Sequence, residues 1–232
     1  AETLSWYWVV LIPTLGGVSV GLIFHLMTQD SRVRSVADVI EAAALRDGRV
    51  EIKEGWASAM ASFITLSTGG SAGREGPVVH IAAMISTKVC TWLGAQGVTA
   101  RDLLGCAVAA AVAASFNAPI AGALFALEVI LRHFALHAFA PIVIASVAGA
   151  VVHQLVFGDF KEFNLPLSNS LSFYAEIPAF MILGLLCGLV AVVLMRSIFL
   201  ADDVASRVQN HLNLPRFLRP AVAGLLLGVI AT

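Results

Sequence analysis

The sequence predicts an all-α integral membrane protein, a bundle of tilted and broken helices, and three observations carry that prediction. Of its 232 residues, 59% are hydrophobic and 12% charged, with a mean hydropathy of +0.88, more apolar than a water-soluble core of this size requires. The apolar residues gather in runs rich in alanine, leucine, valine and glycine, without strand-like alternation, as helices do. Several of these runs stop at Gly, Asn or Pro before they are long enough to cross a bilayer.

The runs lie at 4–27, 56–68, 77–93, 103–116, 119–131, 139–157, 177–200 and 221–232. The first is too long for the apolar core of a signal peptide, so no cleavable leader is expected. Runs 56–68, 103–116 and 119–131 fall short of the roughly 20 helical residues that cross about 30 Å of hydrocarbon. Non-helical backbone at that depth is tolerated only inside protein or beside a water-filled cavity. Broken helices leave orphan N–H groups and the positive pole of a helix dipole within the membrane, which points to a transport pathway that binds anions without a fixed cation. Small residues at Gly16, Gly17 and Gly21, at Gly184 with Gly188, and at Gly224 with Gly228 fit close helix contacts inside a bundle.

The formal net charge of -1 supplies no basic field, so nucleic acid is not an expected partner. Cys90, Cys106 and Cys187 lie in apolar runs without CxxC pairing or a histidine at ligand spacing, which reads as small core residues, with neither a metal site nor a cofactor expected. A membrane-embedded hydrolase would need a nucleophile with its base, or two carboxylates. The apolar runs offer only lone candidates such as His25, His80, Glu128 and His153. Basic residues collect at Arg32, Arg34, Arg46, Arg49 and Lys53, at Arg132 with His133, and at Arg207, Arg216 and Arg219, whereas 159–173 carries Lys161 alone. The positive-inside rule then assigns the first three connections to the cytoplasm and the last to the outside.

Two stretches carry the chemistry. In "GGSAGREGPVVH" (69–80), Pro77 suits the first turn of a helix, where its missing N–H would be an orphan anyway. A helix is therefore expected to start near Gly76–Pro77, with Gly73 and Gly76 allowing the chain to turn so that the amides of Arg74 and Glu75 converge on an anion-sized nest. Glu75 stands where such an anion would bind, either as a gate that an anion or a proton displaces or as a plain helix cap. An ionisable side chain among apolar helices is a functional candidate, since a charge at membrane depth costs about 2.5–3.5 kcal/mol. In "AAAVAASFNAPIAGALFALEVI" (109–130), Phe116, Asn117 and Pro119 mark a second pathway helix start after a short alanine-rich helix.

Together these stretches, in order and about forty residues apart, resemble the CLC family of chloride channels and chloride/proton exchangers, whose gate motif reads Gly-Arg-Glu-Gly-Pro. The resemblance runs along the whole chain. It implies an inverted-repeat architecture of which residues 1–232 are a partial transmembrane domain, most of the first repeat and the start of the second. It implies chloride as substrate, a lipid bilayer and a homodimer as setting, with the interface at 119–131 and 139–157, and a multi-pass location in a bacterial-type inner membrane. It makes Glu75 the gating glutamate and Ser35, Gly73, Arg74, Glu75 and Gly76 the anion-binding residues.

Two departures qualify this. The family's Gly-Ser-Gly-x-Pro loop corresponds here to "VRSVADVIEAA" (33–43), so Ser35 supplies the hydroxyl while Arg34, Val36 and Asp38 replace glycines and proline; Ser35 reads equally as a helix cap. The proton-passing glutamate that follows the second block in exchangers is replaced by Val129, so passive conduction is the favoured expectation and a chloride/proton antiporter the alternative, with His133 or His137 as conceivable relays. A fluoride exporter fits less well because Pro77 is intact, and a membrane scaffold without transport is the reading from outside this class.

Overall fold

Every apolar run forms a helix. The computed structural model describes residues 5–28, 34–70, 73, 75–158, 173–211 and 215–231, which contain helices and no strand. In chain order these are α1 (Trp6–Met27), α2 (Val36–Leu45), α3 (Ile52–Ser67), α4 (Glu75–Leu93), α5 (Gly97–Phe116), α6 (Pro119–Phe125) running into a π-helical turn (Ala126–Leu131), α7 (Leu136–Phe157), α8 (Phe173–His211) and α9 (Arg219–Ile230). α1, α5, α7 and the stretch Ile177–Gln209 of α8 are long and apolar enough to cross a membrane, and the chain is a multi-pass integral membrane protein.

Residues 1–162 and 217–232 form one unit. Within it, α1 lies along α9 and α3, and α5 along α4, α6 and α7. Its interior is built from small and β-branched residues. Val39, Ala42 and Ala43 of α2 meet Val79, Ala83 and Met84 of α4, Leu104 and Val108 of α5, and Ile130. A second cluster joins Ala109, Ala123, Ala126, Leu127, Ala138 and Ile142. Alanine at these positions lets backbones approach closely, which is how helices associate where lipid offers no hydrophobic drive.

The pairing of α1 with α9 uses the glycines that the spacing singled out. A Cβ at Gly17 would run into the Pro220 carbonyl and one at Gly21 into that of Phe217, while Gly224 faces the Pro13 carbonyl and Gly228 sits with Val10 Cα 2.6 Å from where its Cβ would stand. The contact is thus reciprocal, each helix presenting a glycine to the other's backbone. Gly184 and Gly188 differ: nothing lies within 4 Å of either position, so the close contact expected of them is not seen among the described residues. They belong to the other unit, residues 163–216. There α8 is a 39-residue helix, about 58 Å long at 1.5 Å per residue, whose apolar window has none of its residues buried.

One expectation about length is overturned. The run 103–116 is not a short helix, because α5 begins at Gly97 and has 20 residues, enough to span. Its polar first turns hid this, and partners far along the chain hold them: Arg101 bonds Asp47 at 3.0 Å and Asp102 lies 3.7 Å from the His137 ring. Of the three runs expected to fall short, α3, with 16 residues, and the Pro119–Leu131 stretch remain short.

Candidate functional site

Ser35 is the N-cap of α2, in an extended conformation with φ -128° and ψ -177°. Its hydroxyl accepts from the Ala37 N–H at 3.3 Å, and its own N–H donates to Asp38 Oδ2 at 2.6 Å. This is a reciprocal capping box, two orphan donors satisfied by two side chains. Extended backbone is open to any residue, so Ser35 needs no glycine to take up this cap, and Val36 and Asp38 lie inside the helix that it opens. Arg34 holds it in place: its guanidinium bonds Asp38 at 3.2 Å and also Glu54 of α3, while its backbone N–H donates to Ser58 Oγ at 2.8 Å. Burial works against the charge on Asp38, yet the Ser35 N–H and the Arg34 guanidinium hold its carboxyl below the ordinary range. The Ser-x-x-Asp spacing of a capping box and the i,i+4 spacing of Arg34 with Asp38 were the signals in the sequence for this clamp.

Glu75 is the first residue of α4 and is exposed. A Cβ at Gly73 would stand 2.9 Å from Glu75 Oε2, so the carboxylate lies back over the glycine. Arg74 lies outside the described residues, as do Ser71 and Ala72. Gly76 serves differently from the expectation: it is helical, its φ is not positive, and nothing lies within 4 Å of a Cβ there. It is a first-turn N–H donor, and the turn into α4 is not made by it. Pro77, the next residue, withholds one N–H from the same turn.

At the second break, Pro119 opens α6 from the N-cap Ala118, as expected. Phe116 and Asn117 do not belong to that start. Phe116 closes α5, and Asn117 is its C-cap in the left-handed conformation, φ 50°, which asparagine tolerates better than most residues. The junction is fastened to α7, where Gln154 donates to Asn117 Oδ1 at 3.2 Å and Ser146 Oγ donates to the Pro119 carbonyl. Val129 lies in the π-helical turn, packed against the cluster of Val39, Val79 and Leu104, while its neighbour Glu128 is exposed. The structure therefore brings the starts of α2 and α4 together on one core through Val39 and Val79, and ties the start of α6 to α7.

A sequence model described as the voltage gated chloride channel matches residues 16–232. The chain is 29% identical to a ClcB-like chloride channel protein of Ralstonia nicotianae, with 100% of this chain and 54% of that protein aligned. It is 31% identical to chloride channel protein CLC-f of Arabidopsis thaliana, covering 98% of this chain and 29% of the other. It thus spans about half the length of the bacterial relative and less than a third of the plant one. Among solved structures, a CLC-type fluoride/proton antiporter superposes with a TM-score of 0.70 over 96% of this chain and 64% of its own, at 21% identity, a likeness of fold alone.

Proposed function

Because the chain belongs to the voltage-gated chloride channel family, we propose that it is part of a protein that moves chloride across a membrane, with the anion held at helix N-termini and Glu75 as the gate. The observation that carries this is the Glu75 carboxylate lying over Gly73 at the start of α4. A carboxylate there occupies the ground of the anion it would admit, and it leaves when protonated or when a competing anion displaces it. Ser35, Gly73, Arg74 and Gly76 are the accompanying anion contacts, through a hydroxyl and backbone N–H groups. The break before Pro119 is the third helix start on the pathway. A bacterial inner membrane is the proposed setting, and the likeness to bacterial ClcB-type proteins supports it.

Val129, apolar and packed in the core, favours passive conduction over proton exchange, because a valine cannot carry a proton past this point. The antiporter is the second reading. Chloride flux into liposomes containing the full-length protein tests both: chloride-driven uphill proton movement would overturn conduction. A flux that prefers fluoride would move the protein to a fluoride exporter, against which the intact Pro77 speaks. The homodimer follows the exposed apolar side chains of Ile120, Ile144, Val152 and Leu155 on the segments assigned to the interface, and cross-linking in the membrane tests it.

A further inference from the structure

His80 lies one and a half turns into α4 and is buried, with 3% of its surface exposed, and neither ring nitrogen has a hydrogen-bond partner among the described residues. A buried imidazole without partners forfeits its hydration for nothing, which a folded protein avoids unless water, an ion or a proton completes the site. The ring opens onto a cavity of about 40 Å³, room for a water or two. The walls of the cavity are Arg34, Asp38 and Glu54, and its rim is Glu41, Arg46 and Glu51, all half-exposed to solvent. The ring fits because residue 55 is a glycine: a Cβ there would stand 2.7 Å from His80 Cδ2 and 2.8 Å from Nε2.

We infer that this cleft between α2, α3 and α4 is a water-filled proton-binding site in which the His80 imidazole is the acceptor. The chemistry of the lining selects the ligand. No group of three or more metal-binding side chains exists among the described residues, and each carboxylate is already engaged: Asp38 and Glu54 by Arg34, Glu41 and Glu51 by Arg46. Arg49, which also lines the cleft, donates to the Ala95 carbonyl at 3.1 Å. Among the described lining residues, three guanidiniums (34, 46, 49) stand against four carboxylates (38, 41, 51, 54), a balance that disfavours an anion and offsets part of what burial costs a charged ring. The unfilled valences are the two ring nitrogens.

The exchange balances without a co-reactant. A hydronium in the cleft passes its proton to a ring nitrogen lone pair, the O–H bond breaking as the N–H bond forms. Water is left in the cleft and the charge on the imidazolium; the reverse step restores both. The charged groups acting on the ring are Arg34 and Asp38 at the start of α2, with Glu54 on the cleft wall from α3; α5 contributes apolar Leu104 and Val108 to the adjoining core. The Ser35 backbone lies near enough to act on the ring electrostatically but outside hydrogen-bond geometry. On the anion-transport reading, which this last step rests on, a charge at His80 stands beside the Ser35 anion contact, so pH on the side of the cleft sets anion occupancy.

The test is nitrogen NMR of histidine-labelled full-length protein in lipid bilayers, with the His80 signal assigned as the one lost in His80→Gln. Should that variant not fold, the other histidines replaced one at a time assign the signal by elimination. The site predicts a ring that is neutral near pH 7 because burial disfavours its charge, that takes up a proton as the pH falls below the ordinary imidazole range toward about 4, and that exchanges that proton with solvent. A ring that stays neutral and closed to exchange over that range overturns it. The measurement needs no transport, so titration without chloride flux would sink the transport reading and leave the proton site standing. Flux without titration would do the reverse. In flux assays His80→Gln flattens the dependence on cleft-side pH, and an unaltered pH profile in that variant counts against the site.

Discussion

At Ser35 the first turn of α2 is closed by its own side chains, whereas the first turn of α4 begins with an exposed carboxylate, that of Glu75, lying over Gly73. The α2 start has a reciprocal capping box and a guanidinium reaching both Asp38 and Glu54. At α4 the residue before the helix is an arginine, whose side chain has no acceptor to offer an amide, the third helical residue is a proline, and the carboxylate is exposed over Gly73. A terminus whose amides are already satisfied is rigid and can present a hydroxyl in one direction. An exposed carboxylate at a helix start is favoured there by the helix dipole, and another anion can take its place. On the proposed function, the pair is a fixed contact and a gate on helices that share a core.

Four outcomes would break or sharpen that contrast. Glu75→Gln removes the titratable group from the start of α4, and combined with His80→Gln, which silences the cleft, it should abolish the pH dependence of gating seen in chloride flux; a response retained in the double variant ends the gate assignment. Arg34→Met strikes the closed terminus by stranding Asp38 and Glu54, whose side chains are 15% and 13% exposed, and should cost about 2 kcal/mol of stability in detergent unfolding. Ser35→Ala loses one cap bond, about 1 kcal/mol, while Ser35→Thr keeps it. If the hydroxyl also holds the anion, chloride affinity falls in the first variant and survives in the second.

The smallest effect is on acid stability. The Asp38 carboxyl is held below its ordinary range in the folded protein, so its contribution is present in full above about pH 4 and is lost as the pH falls through the lowered folded value. Melting curves recorded at falling pH should therefore converge for the native protein and Asp38→Asn. Parallel curves would mean that the clamp does not discriminate between charged and neutral carboxyl.

Much of this was legible in the sequence because it is local. Pro119 opens a helix since its ring presets the dihedral and its missing N–H is harmless there, and the glycines of α1 and α9 declare a close crossing by spacing alone. Asn117 was not legible in this way, because an asparagine two residues before a proline can either cap the next helix or end the last. The backbone chose the second, and only its positive φ says so. The clamp around Ser35 was half legible: the capping box could be read from spacing, but the reach of Arg34 to Glu54, twenty residues away, could not.

By itself, the sequence determined the membrane class, the positions of the helices, the start at Pro119 and the glycine-rich faces of α1 and α9, because hydropathy, backbone preference and side-chain size act within a few residues. The tertiary structure decided that α5 is a full span, that the starts of α2 and α4 share a core, that Glu75 lies over Gly73, and that His80 is buried against Gly55 at the floor of a charged cleft. Most of these depend on which helices meet. A polar first turn is stable in α5 because Asp47 and His137 reach Arg101 and Asp102, and an imidazole is enclosed because a different helix brings a glycine to its edge.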